Sequence, residues 1–329
     1  MNNLVIIEYL SVQNIKDLVD NKHNISEGIR MVDTLSNIFI NEKSIKEISI
    51  IRNENIEIKK HKKINYFLTS KKKSWEEIIK NFIPKNCMII VIAPETNRIY
   101  IKMFKTIKKL GFKILNSKIR TLKLLSSKYS THNFLKKKKV MCTNVYKNFE
   151  KMKKNCKYII KPEYGAGSEN INLVDNFYKI KGLLKKINYP FLIQYFESNI
   201  VGSFSMLCLE GKNNLISCNK QIIEINKNKL KQTGIYVGKF EKFRNDFQVL
   251  ANKISVNFKD LYGYIGVDVV LENNCWKVIE INPRFTSAVL GLKKAYGKKV
   301  LKRISDLYIN QNLKIGYEPK IIKPHKITF

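Results

Sequence analysis

Acidic residues are scarce in this chain. Its 329 residues carry 27 Asp and Glu against 61 Lys and Arg, a formal charge of +34. A charge that high raises nucleic acid as a partner through phosphate neutralisation. The cations, however, are nearly all lysine and run from end to end among Asn and Ile, the mixture that A/T-rich codons produce. The local runs "KKKSW" (71–75) and "LKKKKV" (135–140) have little aromatic interleaving and almost no Arg. The expectation is a solvated lysine surface that draws in anionic substrates, not a specific nucleic-acid site. No apolar run approaches the ~20 residues a spanning helix needs, so no membrane partner is expected. The opening "MNNLVIIEYL" has no basic leader and holds Glu8 within its apolar stretch, which predicts a first strand rather than a signal peptide. Six cysteines (Cys87, Cys142, Cys156, Cys208, Cys218, Cys275) show no CxxC spacing. They read as reduced thiols of a cytoplasmic protein, neither a disulfide frame nor a zinc site. No GxGxxG follows the first strand and no GK[ST] occurs, which excludes the dinucleotide fingerprint and the Walker loop. Internal repeats and long linkers are absent too.

What is present is alternation. "LVIIEYL" (4–10) and "CMIIVIAP" (87–94) are short β-branched runs of the kind found in parallel sheets. Ile29, Val32, Leu35, Ile38 and Phe39 fall at helical spacing, as do Trp75, Ile78, Ile79 and Phe82. "NRIYIKMFKTIKKLGFKIL" (97–115) predicts an amphipathic helix ending at Gly111, then a strand. Residues 1–116 thus read as a doubly wound α/β domain. From about 117 the character changes. "SKYSTHNFLKKKKV" predicts a helix, and "KYIIKPEYGAGSENINLV" (157–174) a strand, a glycine-rich loop and a strand. Antiparallel strands follow in "YPFLIQYFES", "SFSMLCLEG" and "NLISCNKQIIEI"; then come a helix over 241–260, a hairpin over 262–282 and a closing helix.

The hairpin "YGYIGVDVVLENNCWKVIEINPR" concentrates the chemistry. Asp268 lies on one face of its first strand, and Glu280 and Asn282 share a face of the return strand by the two-residue period. A three-residue turn centred on Asn274 sets Asp268 opposite Glu280; a two-residue turn sends them to opposite faces. Facing like charges call for a cation. Two carboxylates and an amide are hard oxygen ligands suited to Mg²⁺ or Mn²⁺ that also hold phosphates. Upstream, Gly165, Ala166, Gly167 and Ser168 can turn tightly and offer backbone N–H groups to an anion, with Lys161 as a point charge beside them.

These motifs resemble the ATP-grasp superfamily. The matching signals are Lys128 in "SSKYST", Lys161 with "PEYGAGS", "FLIQYF", "GVD" (266–268) and "EINPR" (280–284), in the superfamily's order over about 117–290. The resemblance implies an α/β and α+β architecture: an ATP-grasp fold preceded by a doubly wound domain. Its boundaries would be 1–116 for that first domain, 117–190 for the subdomain with the phosphate loop and 191–329 for the subdomain with the metal hairpin. It implies ATP bound by Lys128, Lys161 and the loop 165–168, with Gln194, Tyr195 and Phe196 meeting adenine. Asp268, Glu280 and Asn282 would hold Mg²⁺ or Mn²⁺, and Arg284 would stabilise the transferring phosphoryl group. Two departures stand out. The acid that usually holds the ribose is replaced near Ile200 or Val201, with Glu197 as the substitute, and an expected arginine before "Q" is Lys220. Outside the ATP site, "EYLS", "EGIRMVDTLSNIF", "VIAPETNRI", "TGIYVGKFE" and "NPRFTSAVLGL" are similar to carboxylate–amine ligases that join L-glutamate to tyramine in methanofuran biosynthesis. The resemblance implies amide formation through an acyl phosphate, small-molecule substrates and a homodimer. Two alternatives stay open: another acid and amine pair, or a nucleic-acid-binding protein with a vestigial ATP site.

Overall fold

The structure is a computed structural model that describes residues 2–14, 22–147, 152–153, 156–165, 167, 170–175, 177–198 and 200–329. The first part of the chain runs β1 (Asn2–Glu8), α1 (Lys22–Phe39), β2 (Ile45–Asn53), β3 (Ile64–Thr69), α2 (Trp75–Phe82), β4 (Met88–Ile92), α3 (Ile99–Lys109) and β5 (Lys113–Ile114). Its five strands are all parallel, in the order β3-β2-β1-β4-β5. Leu4 to Ile7 are wholly buried because both faces of β1 are covered. Leu4 and Ile6 share a core with Met31, Val32, Leu35 and Phe39 of α1. Val5 and Ile7 share the opposite core with Ile78 and Ile79 of α2 and Met103 and Phe104 of α3. The strand order reverses between β1 and β4, so a crevice opens beyond their carboxyl ends, where ligands of such sheets bind.

The remainder runs α4 (Ile119–Leu125), α5 (Lys128–Lys137), β6 (Val145–Tyr146), β7 (Lys157–Pro162), β8 (Asn172–Val174), α6 (Phe177–Leu184), β9 (Phe191–Phe196), β10 (Val201–Leu209), β11 (Lys212–Asn226), β12 (Lys229–Val237), α7 (Arg244–Asn257), β13 (Gly263–Glu272), β14 (Cys275–Asn282), α8 (Val289–Tyr296), α9 (Lys298–Asn310) and β15 (His325–Thr328). These strands form one antiparallel sheet in the order β14-β13-β10-β11-β12-β8-β7-β9-β6, with β15 paired to β12. Strands β12 and β8 share a single pair, Lys229↔Asn172, so two antiparallel halves meet at that seam. Phe204, Phe247, Val267 and Trp276 centre the core of one half; Tyr158, Ile160, Val174 and Ile193 centre the other.

Mixed α/β with an antiparallel second part is what the sequence predicts, but several features differ. Strands β2, β3 and β12 and helix α4 go beyond that reading, as does β15, whose pairing with β12 is a contact between distant parts of the chain. The closing helix is two helices, broken at Gly297, where φ is +79. Both pack back on the first part: Leu292, Val300, Ile304 and Leu307 share the core of α1. No helix among the described residues is long and apolar enough to cross a membrane.

Candidate active site

The hairpin of β13 and β14 turns on two residues, Asn273 and Asn274, both left-handed with φ of 51° and 57°. Paired left-handed residues are the type I′ geometry that asparagine tolerates. Of the two turns the sequence leaves open, the structure has the two-residue one. Continued regularly, a two-residue turn would set Asp268 opposite Ile279. Instead Val269 pairs with Val278 and Asp268 with Glu280, leaving Ile279 as the extra residue of a β-bulge. The bulge restores the facing carboxylates that the turn alone would have separated, and both Ile279 and Glu280 line one cavity.

Each carboxylate has its own support. Asp268 accepts hydrogen bonds from the Gln221 Nε2 at 2.7 Å and the Asn282 Nδ2 at 3.2 Å. Glu280 Oε2 lies 3.2 Å from the Lys128 Nζ. Burial and the neighbouring Glu280 push the Asp268 carboxyl well above the usual carboxylate range. Burial would raise Glu280 as well, but Lys128 and Lys161 outweigh it and hold Glu280 low. Among the described residues no three His, Cys, Asp or Glu side chains gather as a metal site. The available donor set is two carboxylates and the Asn282 amide, all hard oxygen ligands. It fits a divalent cation: the crowding that raises Asp268 is what such a charge would relieve.

The two lysines are brought together by Glu163. Ser127 caps α5 by accepting from the Ser130 N–H and donates its hydroxyl to Glu163 at 2.6 Å. The Lys128 N–H donates to the Glu163 carbonyl, and Lys147 adds an ion pair to the Glu163 carboxylate. Lys128 thus opens α5 against the end of β7, where Lys161 is 5% exposed. Lys128 also donates to the carbonyl of Gly165 at the start of the glycine-rich loop. Burial lowers Lys161 to about 8, with Lys128 adding to the effect and Glu280 and Asp268 opposing it. Gly165 and Gly167 are described, the latter with φ of 71° that favours glycine; Ala166 and Ser168 lie outside the described residues.

The cavity beside these lysines is elongated. Lys128, Lys161, Asp268 and Glu280 mark one end; Tyr195, Phe196, Ser198 and Glu272 line the other, with Ile159, Ile223, Leu230 and Val270 between. The Gln194 backbone pairs with both β6 and β7, and the Tyr195 N–H goes to Asn144. Phe196 closes the ladder opposite Lys157, which leaves the residues after it, among them Ser198 of the cavity lining, with backbone groups for a ligand. Glu197 is exposed and outside the lining of this cavity.

Asp268 and Glu280 also line a second, wider cleft, which lies at the reversal between β1 and β4. Glu8, Tyr9, Ile92, Ala93 and Pro94 come from the ends of those two strands; Arg284 and Ser287 stand across from them. Glu95, just past β4, grips Arg284 through two hydrogen bonds of 3.1 and 2.9 Å. Burial works against the Arg284 charge, and Glu95 overcomes it, so the guanidinium pKa lies above its ordinary value. Glu8 accepts from the Leu10 and Ser11 N–H groups at 3.0 and 2.7 Å, yet burial still raises it to about 7.

Lys220 does not join this group. It is exposed on the face of β11 opposite to Gln221, and it is Gln221 that reaches Asp268. Side chains alternate along a strand, so one position decides the face. Gln221, Glu95, Glu163 and Glu272 escaped the sequence reading. Each lies inside a stretch quoted from the sequence, but none stands in a local pattern that marks it as a site residue.

Known proteins resemble this chain in both sequence and fold. Residues 125–288 match the ATP-grasp domain family. The tyramine–L-glutamate ligase of Methanocaldococcus fervens is 27% identical over 297 residues, which is 89% of this chain and 81% of that protein. An ATP-grasp superfamily protein from Archaeoglobus fulgidus superposes with a TM-score of 0.71 at 20% identity, covering 99% of this chain and 91% of the other. N5-carboxyaminoimidazole synthetase from Staphylococcus aureus, solved with ADP, gives 0.69 at 13% identity, covering 99% and 82%. A parallel β1–β4 crevice, two lysines beside Gly165 and a carboxylate hairpin occur here together with that domain match. Residues 125–288 of the chain form an ATP-grasp domain, and the fold is that of solved ATP-grasp proteins.

Proposed function

We propose that this protein is an ATP-dependent carboxylate–amine ligase that joins L-glutamate to tyramine, the reaction named for its M. fervens relative and the one methanofuran assembly uses. The observation that carries this reading is the position of Asp268 and Glu280. They line both the elongated cavity and the wide cleft, so a nucleotide in one would present its terminal phosphate to a substrate in the other. Lys128, Lys161 and the loop 165–168 hold the phosphates, and Phe196 to Ser198 meet the base. Asp268, Glu280 and Asn282 would hold Mg²⁺ or Mn²⁺, which would supply positive charge to offset that of the phosphates. The substrate carboxylate attacks the γ-phosphorus, ADP leaves, and the amine then displaces phosphate from the acyl phosphate. Two anions must meet in the first step, so the chief contribution of Arg284, Lys128 and Lys161 is electrostatic. Glu95 fixes Arg284 at the junction and needs no movement at the moment of reaction. The test is ADP release from MgATP with glutamate, with tyramine, and with both, coupled to mass analysis. Amide and ADP in equal amounts only when both are present supports the reading; ADP without amide across a panel of amines refutes it.

A further inference from the structure

The wide cleft carries a carboxylate that neither the nucleotide nor a cation would use. Glu27 sits early on α1, and the Ser287 hydroxyl donates to one of its oxygens. No other hydrogen bond or ion pair to Glu27 is formed among the described residues. Its neighbour Gly28 makes the placement possible: a Cβ there would lie 2.4 Å from a Glu8 carboxylate oxygen, so only glycine lets α1 press onto the end of β1. Glu8 itself is committed to backbone N–H groups at both oxygens, which leaves Glu27 as the acid facing this end of the cleft with an oxygen to spare. Arg284 and Arg30 act on it through space, Glu8 lies beneath the helix, and Lys231 lines the same cleft. The walls beside it are Tyr9, Met31, Ile99, Ile235 and Phe329, an apolar surface suited to a ring or chain. Burial raises Glu27 above the usual carboxylate range, ahead of the opposing Ser287 and arginine contributions, which makes it the stronger base.

We propose that Glu27 binds the ammonium of the acceptor substrate, a primary amine with an apolar body, and takes the proton that frees its lone pair. This role rests on the ligase reading above. The ammonium gives one proton to the Glu27 carboxylate. The nitrogen lone pair then forms a bond to the acyl-phosphate carbonyl carbon, the carbon–oxygen bond to phosphate breaks, and the departing phosphate carries off the second proton as the amide forms.

The experiment compares the full-length wild type with Glu27→Gln and Glu27→Asp in two assays at saturating MgATP and glutamate. One follows amide formation with tyramine. The other follows hydroxamate formation with hydroxylamine, which is uncharged at neutral pH and needs no ammonium site. Glu27→Gln is expected to lose about 100-fold in kcat/KM for tyramine, the lower end for a proton-transfer group, while keeping hydroxamate formation. Glu27→Asp is expected to recover part of the loss. Tyramine turnover at the wild-type rate in Glu27→Gln overturns the role of Glu27 and leaves the ligase reading standing. Loss of both products in that variant also overturns it, because Glu27 would then support the fold or the first step. If the wild type forms neither product, the ligase reading falls and this role with it.

Discussion

Replacing Glu95 by glutamine removes one charge from a pair that ties the first sheet to the end of β14 across 189 residues of sequence. Both partners are largely shielded: the Glu95 side chain is 7% exposed and that of Arg284 13%. In Glu95→Gln the guanidinium keeps the Phe285 carbonyl at 3.2 Å and one amide oxygen, but loses the carboxylate in direct contact and retains only through-space partners such as Glu280. Breaking a buried ion pair from one side costs about 3–5 kcal/mol. Arg284 lines an open cleft, so water recovers part of this and the expected loss is about 2–3 kcal/mol. Urea denaturation measures it as a lower midpoint at unchanged slope. The pair is isolated by a cycle with Arg284→Gln: the double variant, with neither charge buried, is expected to lose clearly less than the two single losses added together. A wild-type midpoint for Glu95→Gln, or single losses that simply add in the double variant, would refute an electrostatic tie between these residues.

Other consequences are as specific. Glu280→Gln should lower the turnover of acid plus amine by about two orders of magnitude or more, as expected for a group stabilising the transition state, while changing the unfolding midpoint little. Lys161, held to about 8 chiefly by burial, is charged below that pH and neutral above it, so kcat/KM for ATP should fall as pH rises through about 8. Lys161→Arg should flatten that limb of the profile. Glu8, raised to about 7, keeps a proton in the folded state that the unfolded chain releases near 4.5. Its contribution to stability is therefore present below that unfolded value and lost as pH rises toward 7. In Glu8→Gln the fall in stability between pH 5 and pH 8 should shrink by about 2 kcal/mol, read from urea midpoints at both values.

How far the sequence carries can be judged residue by residue. The buried run at β1 and the helical spacing of α1 to α3 announce a doubly wound unit, because burial on both faces leaves an unbroken apolar string. The hairpin carboxylates were legible through strand alternation, but their register was not. It depends on an Asn-Asn turn and a bulge that cancel one another's shift. The edge of β14 is also held by Met141 and Thr143, which bond both sides of Val278. Nothing within the hairpin announces that contact. At β11 a one-residue difference separates Lys220 from Gln221, and a slip of one flips every side chain to the other face. Motif order pointed to the first of these; only strand pairing identifies the second. The Glu95–Arg284 and Glu27–Ser287 contacts join residues far apart in the chain, where no local pattern operates.

The most direct test of the site between the two cavities is calorimetry with a non-hydrolysable ATP analogue, with and without Mg²⁺, on the wild type and on Glu280→Gln. Saturable one-to-one binding that strengthens with Mg²⁺ in the wild type, and loses that dependence in the variant, is the expected result. Binding that ignores Mg²⁺ in both proteins, or no binding at all, would contradict a cation held by Asp268, Glu280 and Asn282.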